Sequence, residues 1–117
     1  VNTTQFLNRT HDDRQYNCAH FVCEVALAAT GKDLRQYFAG MLLPPEKRVA
    51  EQKALRRLKV LKYPEQYCIV WFKGKKRVNH VGIWWNGKVF HLTKFGPALQ
   101  PLPIARLGYQ LVRFISA

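Results

Sequence analysis

Three side chains in this sequence have the types and spacing for nucleophilic catalysis: Cys18, His80 and His91. Cys18 falls in the stretch Tyr16-Asn17-Cys18-Ala19-His20-Phe21-Val22-Cys23-Glu24-Val25. Asn17 is a preferred N-cap type, and apolar residues then recur at Phe21, Val22, Val25, Ala26 and Ala29, the spacing of one buried helical face. Cys18 is therefore expected in the first turn of a buried helix. Unpaired backbone N–H groups and the positive end of the helix dipole favour a thiolate there, drawing a thiol pKa from about 8.5 into the range ~3.5–7.5. A free cysteine is also a common small core residue, so the chemical reading of Cys18 depends on what else reaches it.

The partners come from a hairpin. Asn86-Gly87 is a strong signal for a two-residue type I′ turn, which would pair Trp85 with Lys88, Trp84 with Val89, Ile83 with Phe90 and Gly82 with His91. Because side chains alternate, His80, Gly82 and Trp84 then share one face with His91, while Val81, Ile83, Phe90 and Leu92 share the other. His80 and His91 become diagonal neighbours with backbones about 7–8 Å apart, and Gly82 is expected to leave the room beside them empty.

A cysteine nucleophile needs a base to take its proton and return it to the leaving group, and that base needs a third group to fix its tautomer. Cys18 is assigned as nucleophile, His80 as base and His91 as the orienting residue, with the Cys18 backbone N–H as the first candidate to hold an oxyanion. This chemistry calls for no cofactor. The same three residues could also ligate zinc, with a fourth ligand or a water completing the site. His20, two residues from Cys18 and so roughly 200° round the helix, is expected to point elsewhere. His11, in a loop, is read as structural or surface, and Cys23 and Cys68 have no such company.

Several elements must position these groups. Asn2 to Asn8 is expected as a short opening helix and Arg9 to Gln15 as a polar loop. The Cys18 helix runs to Thr30, with Gly31 as its stop. Leu34 to Phe38 reads as a helical turn, and Pro44-Pro45 separates it from the next segment. From Glu46 to about Leu61 strong helix formers carry a narrow stripe of Val49, Leu55, Leu58 and Leu61. Lys47, Arg48, Lys53, Arg56, Arg57, Lys59 and Lys62 surround the stripe, either as a solvated face or as a polyanion-binding surface. Tyr67 to Phe72 is a continuous apolar run, the mark of a strand buried on both faces. A turn over Lys73 to Lys76 leads to strands over Val78–Trp85 and Lys88–Thr93. Ala98–Gln100 and Ile104–Leu107 are expected as short edge pieces, and Tyr109 to Ile115 as a closing strand. Helices followed by an antiparallel meander make an α+β fold, N-terminal helices packed on a central antiparallel β-sheet.

The chain has 117 residues, of which 48% are hydrophobic. That suits one folded domain over residues 1–117. No apolar run approaches the ~18–20 residues of a membrane span, and no basic-then-apolar start reads as a signal peptide. Nineteen Lys and Arg against seven Asp and Glu give a net charge of +12, which favours encounter with polyanions: nucleic acid, an anionic membrane surface or an anionic cell wall. Three cysteines at these spacings fit neither a zinc ribbon nor a Cys-x-x-Cys redox pair, and leave at least one thiol free. Nothing in the sequence specifies an oligomer.

In motif content and order the sequence resembles the NlpC/P60 family of papain-like cysteine peptidases. Asn17-Cys18-Ala19-His20-Phe21-Val22 is similar to that family's Asp-Cys-Ser-Gly-Phe-Val. Leu43-Pro44 and the helix containing Gln52 resemble its intervening segment, and Ile69-Val70-Trp71-Phe72 its first core strand. His80-Val81-Gly82-Ile83-Trp84 resembles its His-Val-Gly-Ile-Tyr, and His91 in Val89-Phe90-His91 its third catalytic position. Pro64-Glu65-Gln66 stands where the family usually has Pro-Gly-Asp. The CHAP amidases share the Cys-before-His order, whereas the circularly permuted lipid acyltransferases reverse it. The resemblance implies a papain-like NlpC/P60 core and hydrolysis of an amide bond in the stem peptide of bacterial peptidoglycan, in a secreted, phage-associated or effector setting. The positive charge would suit an anionic cell-wall polymer. The alternative from another class is a non-catalytic module on a degenerate peptidase scaffold that binds nucleic acid or wall polymer through Lys47 to Lys62.

Overall fold

The β-branched and aromatic run after Cys68 forms the second strand along the chain and lies inside a six-stranded sheet. The computed structural model describes residues 2–48, 53–75 and 79–116. Its strands are β1 (Lys59–Leu61), β2 (Ile69–Lys73), β3 (Asn79–Trp85), β4 (Lys88–Thr93), β5 (Gly96–Gln100) and β6 (Leu111–Ser116). They are ordered β1-β6-β2-β3-β4-β5, with every adjacent pair antiparallel. Ile69, Val70, Trp71 and Phe72 are all buried, because β2 has a strand on each edge and a packed layer on each face. The chain is thus α+β. It departs from a simple meander because β6 returns to insert between β1 and β2.

The longest helix, α1 (Cys18–Thr30), begins at Asn17, whose side chain accepts from the N–H groups of Ala19 and His20, and ends at Gly31 with φ of +75°. Only glycine adopts that left-handed cap without steric cost. Phe21, Val22, Val25 and Ala26 are buried against Val81, Ile83, Trp85, Phe90 and Leu92 from one face of the sheet. Each large apolar side chain removed from water there contributes about 1.5–3 kcal/mol. The other face carries Val70, Phe72 and Val89 under Ala105, Leu102 and Tyr109.

Two expectations are corrected. The basic amphipathic helix over Glu46 to Leu61 is not formed as one element. Its described parts are a 3₁₀ turn at Pro45–Lys47, a short helix α2 (Lys53–Arg56) and strand β1, while Val49 and Gln52 lie outside the described residues. Tertiary pairing overrides propensity: Val60 and Leu61 are taken into the sheet opposite Ile115 and Phe114. Ile104–Leu107 is not an edge strand either. Helix α3 (Leu102–Ala105) occupies that stretch, since prolines at 101 and 103 fall at the cap and in the first turn, where a helix tolerates a missing N–H. Among the described residues, no helix is long and apolar enough to cross a membrane.

Candidate active site

The Asn86-Gly87 turn has φ of 48° and 81°, both positive as a type I′ turn requires. It sets the expected register, Trp85↔Lys88, Trp84↔Val89 and Ile83↔Phe90. Gly82 then faces His91, and the two histidines meet: His80 Nε2 lies 2.8 Å from His91 Nδ1. The room at Gly82 is not empty, as the sequence suggested. A Cβ built there would come 2.9 Å from Val89 Cγ1 and 3.0 Å from His91 Cβ. Glycine at 82 lets β4 approach closely enough to seat the His91 ring.

Cys18 comes to this pair from α1, on the far face of the sheet. The β3–β4 ladder stops at Ile83↔Phe90, and the N–H of Val81, the residue after His80, acts on the Cys18 sulfur together with the N–H groups of Ala19 and Cys18 itself. Among the described residues no hydrogen bond joins the sulfur to either ring. The structure therefore couples the two imidazoles directly and sets the thiol against the backbone step that follows His80. Asn17 holds this end of α1 in place: besides capping Ala19 and His20, its side-chain N–H donates to the Met41 carbonyl at 2.7 Å. The cap leaves the Cys18 N–H as the first-turn donor it does not use, the group expected to face an oxyanion.

The electrostatics differ from the expected thiolate. Burial pushes the Cys18 thiol above its ordinary range and outweighs the opposing pull of the Val81 and Ala19 N–H groups and the Arg48 charge. Arg48, read from the sequence as part of a solvated basic face, is anchored to the Leu43 carbonyl and the Asp13 carboxylate. Burial also lowers the His80 pKa to about 3, with lesser electrostatic contributions from the neighbouring His91 and His11. His91 is lowered by burial, partly offset by its bond to Gln100. The resting site is thus a neutral thiol beside neutral imidazoles.

Two residues that the sequence did not single out complete the site. Gln100 Oε1 lies 2.6 Å from His91 Nε2, reaching across from β5, where Gln100 pairs with Val89 and Ala98 with His91. The edge piece expected at Ala98–Gln100 lies within β5, but the sequence assigned it no register against β4, so the diagonal offset that joined His80 to His91 was not carried on to Gln100. Tyr109 stacks on His80 with ring centroids 5.7 Å apart and planes at 13°, and its phenol pKa is raised first by burial and then by the neighbouring Cys18; no periodicity announces it. His20 serves the cap: its Nδ1 accepts from the Asn17 N–H at 3.1 Å, and its ring stacks on Tyr16. Cys23 and Cys68 are free and buried. Among the described residues, no group of three His, Cys, Asp or Glu side chains is placed to hold a metal ion. The facing nitrogens, His80 Nε2 and His91 Nδ1, are already engaged in a hydrogen bond with each other.

Compared with protein-family models, with curated proteins and with solved structures, the chain finds no match in any of the three.

Proposed function

We propose that this chain is a cysteine amidase or endopeptidase with a papain-like NlpC/P60 core. Cys18 is the nucleophile, His80 the general base and acid, and His91 the residue that orients His80. The observation that carries the reading is the 2.8 Å contact between the two imidazoles, one residue from the Val81 N–H that acts on the Cys18 sulfur. A nucleophile, a base and an orienter from three separate elements are what acyl transfer requires.

The sulfur attacks the amide carbonyl as its proton passes to His80. The oxyanion is held by the first-turn N–H of Cys18, which the Asn17 cap does not engage. The C–N bond then breaks, and His80 returns the proton to the leaving amine. A water deprotonated by His80 releases the acyl group and regenerates the thiol. The resemblance names the stem peptide of peptidoglycan as substrate, and the net charge of +12 draws the protein to an anionic wall.

The test is digestion of purified peptidoglycan followed by mass spectrometry of the fragments. Wild-type protein is expected to release peptides, and Cys18→Ala to lose at least about a thousand-fold in rate with its circular dichroism spectrum unchanged. Undiminished turnover in Cys18→Ala rules the reading out. One feature favours the rival, a polyanion-binding module: Arg56, Lys73 and Arg113 converge on a cleft floored by Leu55, Trp71 and Ile115. Salt-sensitive binding to wall polymer or DNA without turnover, equal in wild type and Cys18→Ala, would establish that rival instead.

A further inference from the structure

Gln100 ends a line of hydrogen bonds that starts at the catalytic base. We propose that Gln100 is a positioning residue which, acting through His91, decides which nitrogen of His80 is free to accept the Cys18 proton. This role rests on the reading of Cys18, His80 and His91 as a triad.

Counting protons along the line fixes each tautomer. Gln100 presents its amide oxygen, which only accepts, to His91 Nε2 at 2.6 Å. His91 must therefore carry its proton on Nε2 and donate it to Gln100. A neutral imidazole has one N–H, so His91 Nδ1 is bare and can only accept. The group facing it at 2.8 Å is His80 Nε2, which must then be the protonated nitrogen of His80. That leaves His80 Nδ1 bare, the one nitrogen of the pair able to take a proton from a thiol. When it does, the new imidazolium still donates from Nε2 to His91, and His91 still donates to Gln100. Every donor keeps an acceptor, and no further proton moves.

Turning the Gln100 amide over reverses the whole line. Its NH₂ would donate to His91 Nε2, His91 would carry its proton on Nδ1 and donate to His80 Nε2, and His80 would hold its own proton on Nδ1. A base protonated at that nitrogen cannot accept from Cys18. One side chain on the edge strand β5, two residues removed from the chemistry, thus sets whether the base is armed. Burial of His91, 4% exposed, keeps water from substituting for the amide. Outer partners that fix the tautomer of metal-bound imidazoles typically change activity by about 10–100-fold when lost, and a loss of the same order is expected for an outer partner of a metal-free pair.

The test is long-range ¹H–¹⁵N correlation on histidine-labelled protein, which reads the tautomer of each ring whether or not the protein is an enzyme. Both His80 and His91 are expected as Nε2–H tautomers with bare Nδ1. Gln100→Met, of similar length and without a strong acceptor, is expected to give mixed tautomers at both rings and to lower kcat about 10–100-fold with little change in KM. Gln100→Glu keeps an acceptor, so the wild-type tautomers should persist. Its added negative charge favours imidazolium, so the acid limb of the kcat profile should move to higher pH. A proton on His80 Nδ1 in the wild type, or wild-type tautomers retained in folded Gln100→Met, would overturn the proposal. Because the wild-type spectrum decides by itself, a variant that fails to fold does not rescue it. Spectra as expected with no release of peptides would leave Gln100 in its positioning role and remove the peptidase reading.

Discussion

At Cys18, loss of hydration competes with nearby N–H dipoles and the Arg48 charge, and loss of hydration is the larger effect. The thiol therefore keeps its proton at neutral pH. With His80 also neutral, the proposed mechanism requires the proton to leave in the same step as the attack rather than beforehand. This fixes how the three cysteines should respond to an alkylating agent. Cys23 and Cys68 are buried, 8% and 6% exposed, and burial pushes the Cys23 thiol up to about 12. Cys18, only partly covered, is expected to react first with iodoacetamide. Its rate should climb from mildly acidic pH into the alkaline range without a plateau near neutrality, because the thiolate is the reactive form and burial keeps it scarce until the solution is alkaline. Peptide mass mapping at stepped pH reads this directly. A Cys18 rate already at its plateau near pH 5 would mean a standing thiolate–imidazolium pair and would contradict a resting site of neutral groups.

The β3–β4 hairpin is the element on which the site depends, and Gly82 is its tightest point. Replacing Gly82 by alanine puts a methyl 2.9 Å from Val89 Cγ1, 3.0 Å from His91 Cβ and 3.2 Å from the Phe90 carbonyl oxygen, so β4 must shift. Gly82→Ala is expected to cost about 1–3 kcal/mol in urea unfolding, and to separate the His80–His91 pair, seen as altered imidazole ¹⁵N shifts. Unchanged stability and shifts would show that the strands accommodate the methyl without moving His91. Strong local signals made this hairpin legible in the sequence: Asn86-Gly87 admits few other turns, and alternation then places every side chain along it. The same holds for α1, whose start at Asn17 and stop at Gly31 are written in cap residues. The segment after Pro45 was not legible, because its helix propensity is overridden by the pairing of Val60 and Leu61 with a strand more than fifty residues later. Tyr109 escaped for a related reason, reaching the site only through long-range packing that leaves no periodic mark, whereas Gln100 escaped because no turn signal fixed the register of β5 against β4.

For the molecule as a whole, burying His91 and partly burying His80 in a chain with net charge +12 should make acid its weak side. His80 titrates at about 3 in the folded protein against 6.5 for the unperturbed group, and His91 is lowered too. Below pH 6.5 the unfolded chain takes up protons that the folded one refuses, so stability falls as pH falls. Each histidine held neutral by the fold contributes a slope of up to about 1.4 kcal/mol per pH unit, and for His80 this continues towards its folded value. Carboxylates begin to protonate in the unfolded chain only below about pH 5, so the interval between there and pH 6.5 isolates the histidines. Urea unfolding across that interval is expected to show falling stability in the wild type and a shallower fall in His80→Gln, whose side chain does not titrate. General repulsion among the many cations would give a similar slope but would be screened by salt, since the Debye length shrinks to about 3 Å at 1 M. The cost of placing a charge on a buried imidazole is a desolvation cost and should survive that salt. A slope that vanishes in 1 M salt, or one that His80→Gln leaves unchanged, would mean that surface charge rather than the buried histidines governs the acid response.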